Sequence, residues 1–360
     1  MEQILYLIHV DWNWIKQRPQ FIAEELSKYY KVNIIYKYSY NKKGFQTNKP
    51  SSNVTLIPVK SIPHKLMHLP FVKDINKLFF EKKVMNELKQ KNIKKVYITS
   101  PLLYEYLPKN YKGKIIYDCM DDHVALESNT DSSLIQSNEK ELIKKATATL
   151  VSSVNLKNVL IKRYGKDFSN KLKLVRNGYN GKILSQESMY NLQKNKKKII
   201  SYFGTVSSWF DFKLILESLK DFKNIEYHIY GPIENGIQVP KNERIKFMGT
   251  VEHNKLYSAV KDSTALIMPF KVNKIIESVD PVKLYEYINF NKNILTIKYN
   301  EINRFDKFVY FYSDYTEYKK QLEKLLQSDE VKYSNLERIS FLEQNSWSNR
   351  IKQIVDILND

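Results

Sequence analysis

Short apolar runs alternate with longer amphipathic stretches along the whole chain. Residues 4–10 (ILYLIHV) form a compact apolar run of strand character. Residues 18–30 (RPQFIAEELSKYY) follow at helical spacing, with Pro19 in the first turn, where a missing N–H costs nothing. Strand-type runs recur at 32–36, 55–59, 95–99, 114–117 and 172–176. Helical stretches lie at 74–91 and 139–148, the second followed by a short run at 149–152. The rhythm then restarts, with strands at 198–203, 226–230, 245–248, 265–269 and 293–296 and helices at 212–220, 254–260, 281–289, 315–327 and 347–358. Strands alternating with helices predict parallel sheets covered on both faces, and two successive sets predict two doubly wound, Rossmann-like α/β domains.

Between the two sets, 179–198 has no periodicity. It follows Gly178, contains Gly181 and carries the basic run 194–198. This predicts a linker at 181–197 between a first domain, 1–180, and a second, 198–344. A last helix within 345–360 is free to pack back on the first domain. Ligands of open parallel sheets bind beyond the carboxyl ends of the strands, so two such domains facing each other place a site in the cleft between them. Polar residues just past strand ends are therefore the first candidates for chemistry.

Composition narrows the classes. The chain has 360 residues, 42% hydrophobic and 27% charged, which suits two globular domains and excludes a disordered protein. No apolar run approaches the roughly 18 residues of a membrane span. The start, MEQILYLIHVDW, lacks a basic n-region, so no signal peptide is expected and a cytoplasmic location is. The single Cys119 excludes an internal disulfide and a cysteine-based zinc site. The net charge of +19 is unevenly placed: 1–180 hold 31 basic against 16 acidic residues, and 181–360 hold 27 against 23. That asymmetry points to an anionic partner for the first domain, although an Asn- and Tyr-rich composition is itself sufficient to raise lysine content.

The sharpest local motif is DPVKLYEY at 280–287. Asp280-Pro281 opens a helix whose free backbone N–H groups can receive a phosphate, and Lys283 adds a positive charge in the first turn. A cation there opposes the helix dipole unless an anionic ligand resolves the conflict. Glu286 lies one turn on, placed to accept hydrogen bonds from a ribose diol; the same spacing also describes an ordinary capped helix. Neither domain carries G-x-G-x-x-G after its first strand, which disfavours a dinucleotide dehydrogenase.

SYFGTVSSWFD, then GP, FMGTV, LIMPF and SVDPVKLYEYINFNKNIL resemble, in order, the donor-binding half of GT-B glycosyltransferases. The pattern is most similar to bacterial members near glycosyltransferase family 4 that assemble cell-surface polysaccharides; WNWIKQRPQFIAEEL and IIYDCMDDH are similar to their first halves. The resemblance implies a GT-B fold and transfer of a sugar from a nucleotide-diphosphate donor, a UDP-sugar first. The acceptor would be a saccharide or lipid-linked saccharide of capsule, teichuronic or lipopolysaccharide type, with retention at the anomeric carbon. The first domain would hold the acceptor and the second the donor. It also implies roles. Glu286 would bind the ribose, Lys283 and the turn Gly204-Thr205 the diphosphate, and Gly231-Pro232 with Met248-Gly249 would frame the nucleobase, beside Asp280, Pro281 and Leu284 of the motif. The chain departs from the family pattern where Ser278 stands eight residues before Glu286, with Glu277 one off, and where Trp209-Phe210-Asp211 displaces the usual lysine to Lys213.

In the first domain, Asp121, Asp122 and His123 follow the strand at 114–117 and are the catalytic candidates, able to accept or orient a proton. A metal-binding acidic pair and a helix cap are the other readings of the two aspartates. No metal or other cofactor is expected, since helix ends and basic residues neutralise diphosphate in this scaffold. Arg18 is a candidate for the leaving diphosphate or an anionic acceptor, and Trp12 and Trp14 for an acceptor platform. The mixture of basic and bulky apolar residues at 64–83 suits the anionic inner face of a membrane, or a helix packed on its own sheet. Two further functions share these features: a nucleotide-sugar epimerase on the same scaffold, and a non-catalytic anion-binding protein. No nucleic-acid-binding signature is present.

Overall fold

The computed structural model describes residues 1–13, 16–38, 50–60, 72–126, 132–185, 198–328 and 330–359, with Lys73 through its backbone only. The chain forms two compact units, Met1–Asn177 with Trp347–Asp360, and Gly178–Ser346.

The first unit contains β1 (Gln3–Ile8), α1 (Arg18–Leu26), β2 (Lys31–Tyr38), β3 (Val54–Lys60), α2 (Val72–Gln90), β4 (Lys95–Ile98), β5 (Lys114–Cys119), α3 (His123–Leu126), α4 (Ser132–Lys145), β6 (Ala148–Val151), α5 (Val154–Tyr164), β7 (Leu172–Leu174) and, from the chain's end, α11 (Trp347–Asn359). Its seven strands are ordered β3-β2-β1-β4-β5-β6-β7, and every pairing is parallel. Alternation along β1 divides the core. Ile4, Tyr6 and Ile8 pack with Ile22 and Leu26 of α1 and Trp347, Ile351, Ile354 and Leu358 of α11. Leu5 and Leu7 face the other way, with Phe80 and Val84 of α2, Leu142 of α4 and Leu156 of α5.

The second unit contains β8 (Lys198–Phe203), α6 (Phe212–Asp221), β9 (Ile225–Tyr230), β10 (Ile245–Gly249), α7 (Leu256–Val260), β11 (Ala265–Met268), α8 (Val282–Asn289), β12 (Asn293–Ile297), β13 (Tyr310–Tyr312), α9 (Tyr315–Gln327) and α10 (Asn335–Gln344). The strand order is β10-β9-β8-β11-β12-β13, again parallel throughout. In each unit the order reverses beside the first strand, between β1 and β4 and between β8 and β11, which is where doubly wound sheets open for ligands.

Several elements differ from the sequence pattern. The stretch 139–148 is not one helix: α4 stops at Lys145, and Thr147 already donates to Ile115 of the sheet at 2.8 Å. The first strand ends at Ile8, leaving His9 and Val10 beyond it. The stretch 254–260 opens as a single tight turn, His253–Lys255, before α7. Helices α5 and α10 and strand β13 were not apparent from apolar periodicity. Yet both helices are fixed at their ends by local chemistry: Ser153 Oγ accepts from Leu156 N at 3.0 Å, and Ser334 and Glu337 form a reciprocal capping box. Residues 186–197 of the expected linker lie outside the described residues.

Candidate functional site

In the second unit, three adjacent strands end in glycines of positive φ: Gly204 after β8 (138°), Gly231 after β9 (134°) and Gly249 at the end of β10 (72°). The Gly204 N–H donates to the Tyr230 carbonyl and the Gly231 N–H to the Gly249 carbonyl, each at 2.8 Å. A Cβ on Gly231 would collide with the Gly204 backbone oxygen, and one on Gly204 would collide with Cε of Lys283. Bare backbone at these ends therefore lets neighbouring strands close up and admits a lysine stem from α8.

Lys283 is the second residue of α8, behind Pro281 as N-cap. Its Nζ lies 5.9 Å from the ring centroids of both Tyr202 and Phe270. Among the described residues it makes no hydrogen bond or ion pair. Burial pushes its pKa down, with Glu286 acting against the shift. The result is an ammonium at the positive end of a helix, near the Glu286 charge but in contact with no anion among the described residues. Glu286, one turn on, accepts the electrostatic contact of His253, Oε1 lying 2.6 Å from Nε2. Around them, the Thr205 carbonyl accepts from Tyr202 Oη at 2.8 Å, the Pro232 carbonyl from Val206 N at 2.9 Å, and Met248 is 49% exposed.

Two neighbours of the motif are turned to other work. Asp280 is buried and ion-paired with Arg304, and its Oδ2 also accepts from Tyr285 Oη at 3.3 Å. Leu284 is fully buried core. Neither side chain is open to a ligand; both seat α8 so that Pro281 and Lys283 meet the strand ends.

In the first unit, His9 follows β1, Thr99 follows β4, and Asp121, Asp122 and His123 follow β5, on three neighbouring strand ends. Arg18, expected to meet an anionic ligand, is 3% exposed and bound to Asp118: Nε reaches both carboxylate oxygens at 3.0 Å and Nη2 reaches Oδ1 at 2.8 Å. Its Nη1 donates to Asn177 Oδ1 at 3.1 Å. Burial alone would lower the Arg18 pKa, but the Asp118 charge and hydrogen bonds raise it, so the guanidinium is a permanent internal tie. Asp122 is likewise occupied, accepting from Arg163 Nη2 at 2.7 Å and from the Ala125 N–H at 3.2 Å.

Asp121 differs from both. Among the described residues its carboxylate has no hydrogen-bond or ion-pair partner. Burial pushes its pKa up to about 6, with Arg18 opposing and Asp118 and Asp122 adding to the rise. His123 is buried and hydrogen-bonded to the Thr99 backbone; burial pushes it down to about 4, and its Nε2 is left without a partner. The His9 ring stands edge-on to it, centroids 5.6 Å apart, with Nδ1 at 2.8 Å from Thr99 Oγ1. Although the His9 side chain is exposed, its crowded strand end desolvates it and, with His123, depresses its pKa. The turn thus offers one carboxylate able to exchange a proton near neutrality, beside two neutral imidazoles. Trp14 lies outside the described residues. No group of three His, Cys, Asp or Glu among the described residues is placed to hold a metal ion.

Sequence reasoning passed over His9, Arg163, Glu139 and His253. His9 was hidden because the first strand was drawn to Val10. Arg163 and Glu139 meet only through the fold, Arg163 Nη1 lying 3.4 Å from Glu139 Oε2. Nothing in the chain's pattern linked His253 to Glu286, 33 residues away.

No family model and no curated protein matches this chain. Solved structures do. A sucrose-phosphate synthase from Thermosynechococcus elongatus superposes with a TM-score of 0.78 at 12% identity, covering 100% of this chain and 98% of that one. HepE of Anabaena, in complex with UDP and glucose, gives 0.73 at 12% identity over 100% of both chains. The apo lipopolysaccharide outer core galactosyltransferase WaaB gives 0.67 at 12% identity over 99% of both. The fold of this chain is GT-B.

Proposed function

We propose that the protein is a glycosyltransferase that moves a sugar from a nucleotide-diphosphate donor to a saccharide or lipid-linked saccharide of the cell surface. The observation that carries this reading is Lys283: an ammonium disfavoured by burial and in contact with no anion among the described residues, lodged against Gly204 at the N-terminus of α8. A diphosphate supplies the missing charge, and the free N–H groups of α8 and the strand-end backbone supply donors. Glu286 Oε2 is left to accept from the ribose diol, and the Gly231-Pro232 and Met248-Gly249 turns would frame the base. UDP is the first candidate nucleotide, because HepE is solved with UDP and with UDP-glucose.

In the reaction, the bond from the anomeric carbon to the diphosphate oxygen breaks as a bond to an acceptor oxygen forms. The departing diphosphate gains charge, which Lys283 and the helix end stabilise more strongly than in the ground state. The acceptor, on the first unit, loses its proton to Asp121, which among the described residues is the one of Asp118, Asp121 and Asp122 not tied to an arginine. The charge of the diphosphate is met by these groups, so no metal is called for, and the retention that the resemblance implies requires the acceptor oxygen to enter on the face from which the diphosphate leaves.

Calorimetric titration with UDP, GDP, CMP, dTDP and ADP tests the donor site. One of them should bind, with affinity reduced at least tenfold in Lys283→Ala and in Glu286→Ala. Binding that ignores both substitutions would remove the donor assignment. Turnover of a UDP-sugar without an acceptor would shift the reading to an epimerase.

A further inference from the structure

Helix α2 carries a wider apolar arc than a helix packed on a sheet needs. The inner stripe, Val72, Phe80 and Val84, is buried in the first unit. Outside it stand Ile75, Leu78 and Phe79, 38%, 63% and 54% exposed, with Phe79 about 20° from Val72 around the helix and Ile75 and Leu78 farther round. At 100° per residue Ile75 and Leu78 bracket the direction of Lys82 and Lys89, both exposed, and Phe79 lies at the edge of this face beside Lys83. The outer face is therefore apolar in its first half and basic in its second, over about 20 Å at 1.5 Å per residue. Of the helix's acidic residues, Asp74 is exposed about 40° from Leu78, at the edge of this face, while Glu81 and Glu87 are half-buried off it and Glu87 Oε2 is held by Lys91 at 2.7 Å.

We infer that this face of α2 docks the protein on an anionic lipid surface, with Leu78 and Phe79 entering the headgroup layer and Lys82, Lys83 and Lys89 meeting lipid phosphates. Bulky apolar side chains grouped on one exposed face call for a partner. Lysines around them select a negative one, consistent with the excess of 31 basic over 16 acidic residues in 1–180. A second copy of the chain is a poorer occupant, because a two-fold contact would set these lysines against their own equivalents. The inference is independent of the donor-site reading, since no residue of the second unit enters it.

Sedimentation with vesicles tests it, comparing phosphatidylcholine alone with phosphatidylcholine containing one-third phosphatidylglycerol. The full chain should bind the anionic vesicles and not the neutral ones, and at least tenfold more weakly in 0.5 M than in 0.05 M NaCl, where the screening length shrinks severalfold. L78S/F79S and K82E/K83E should each reduce binding at least tenfold while leaving the thermal midpoint by circular dichroism unchanged. Failure to bind anionic vesicles overturns the proposal. So does binding indifferent to both variants, or a dimer in size-exclusion chromatography that L78S/F79S dissociates without any vesicle binding. Nucleotide titration of the same variants reads the donor site separately, so either idea can fail alone.

Discussion

Gly231 and Gly204 both lack room for a Cβ, but for different reasons, and the difference is measurable. At Gly231 the obstacle is the Gly204 backbone oxygen, which cannot retreat without moving a strand end, and φ is 134°. Gly231→Ala should therefore cost about 2–3 kcal/mol of stability in chemical denaturation. At Gly204 the backbone strain is the same, φ being 138°, but the obstacle is the flexible end of Lys283. Gly204→Ala should cost less stability, yet displace the ammonium and abolish nucleotide affinity, which pairing denaturation with calorimetry would separate. Asp121 makes a second residue-scale prediction. Its folded pKa, about 6, stands above the reference 3.8, so between these values the folded state holds a proton that the unfolded state gives up. Stability is thus unaffected below about pH 4, falls as the pH rises, and bears the full cost above pH 6. Asp121→Asn should raise the melting temperature at pH 7.5, by the equivalent of about 1–3 kcal/mol, and leave it unchanged at pH 4. The same substitution should lower turnover by about 10²–10⁴ and remove a rise in rate with pH centred near 6. Both the glycines and the aspartates could be picked from the sequence by their places after strands. That Gly204 touches Lys283, or that Arg18 and Arg163 occupy two of the three aspartates and leave Asp121 open, could not, because those pairings join residues far apart in the chain.

At the scale of the element, α8 is a helix built against its own interest. A cation in its first turn opposes the dipole, and burial disfavours its charge, with the Glu286 carboxylate acting against the shift. Lys283→Met keeps the stem's packing on Tyr202 and Phe270 and removes the charge. The empty protein should then gain about 0.5–1 kcal/mol, while nucleotide affinity falls 10–100-fold, the size of one charged hydrogen bond. A stability gain paired with a binding loss would mark the lysine as a ligand group, and a loss of both would mark it as packing. Elements of this kind were legible where apolar period and end chemistry agreed, as in β8, α6 and α9. They were not legible where few of a short helix's apolar residues are buried, as in α5, where only Leu156 and Leu160 are. There the deciding signals are Ser153 at one end and Gly165, φ 106°, at the other, and they weigh little against a weak apolar pattern.

The whole molecule is organised by a chain that leaves the first unit at Asn177 and returns to it at Trp347. The return is anchored twice. Arg18 binds Asn177 and lies 5.7 Å over the Trp347 ring, and Phe21 stacks on the same indole with centroids 5.7 Å apart. Behind them, Trp347, Ile351, Ile354 and Leu358 are essentially inaccessible and fill one face of the β1 sheet. At about 1.5–3 kcal/mol per fully buried side chain, these four contribute an amount comparable to the 5–15 kcal/mol that holds an ordinary domain together. The first sheet is therefore incomplete until the last segment of the chain arrives. Ile351→Ala with Ile354→Ala should cost about 4–8 kcal/mol, and the loss should be local. Hydrogen exchange should show amides of β1, β2 and α1 losing protection while those of β8, β9 and β11 keep theirs. Equal loss in both sheets would mean that the two units share their stability. A loss confined to the first would mean that the last helix is the final strut of the unit that carries Asp121 and His123, so that a substitution far away in sequence could disable the acceptor side and leave nucleotide binding intact.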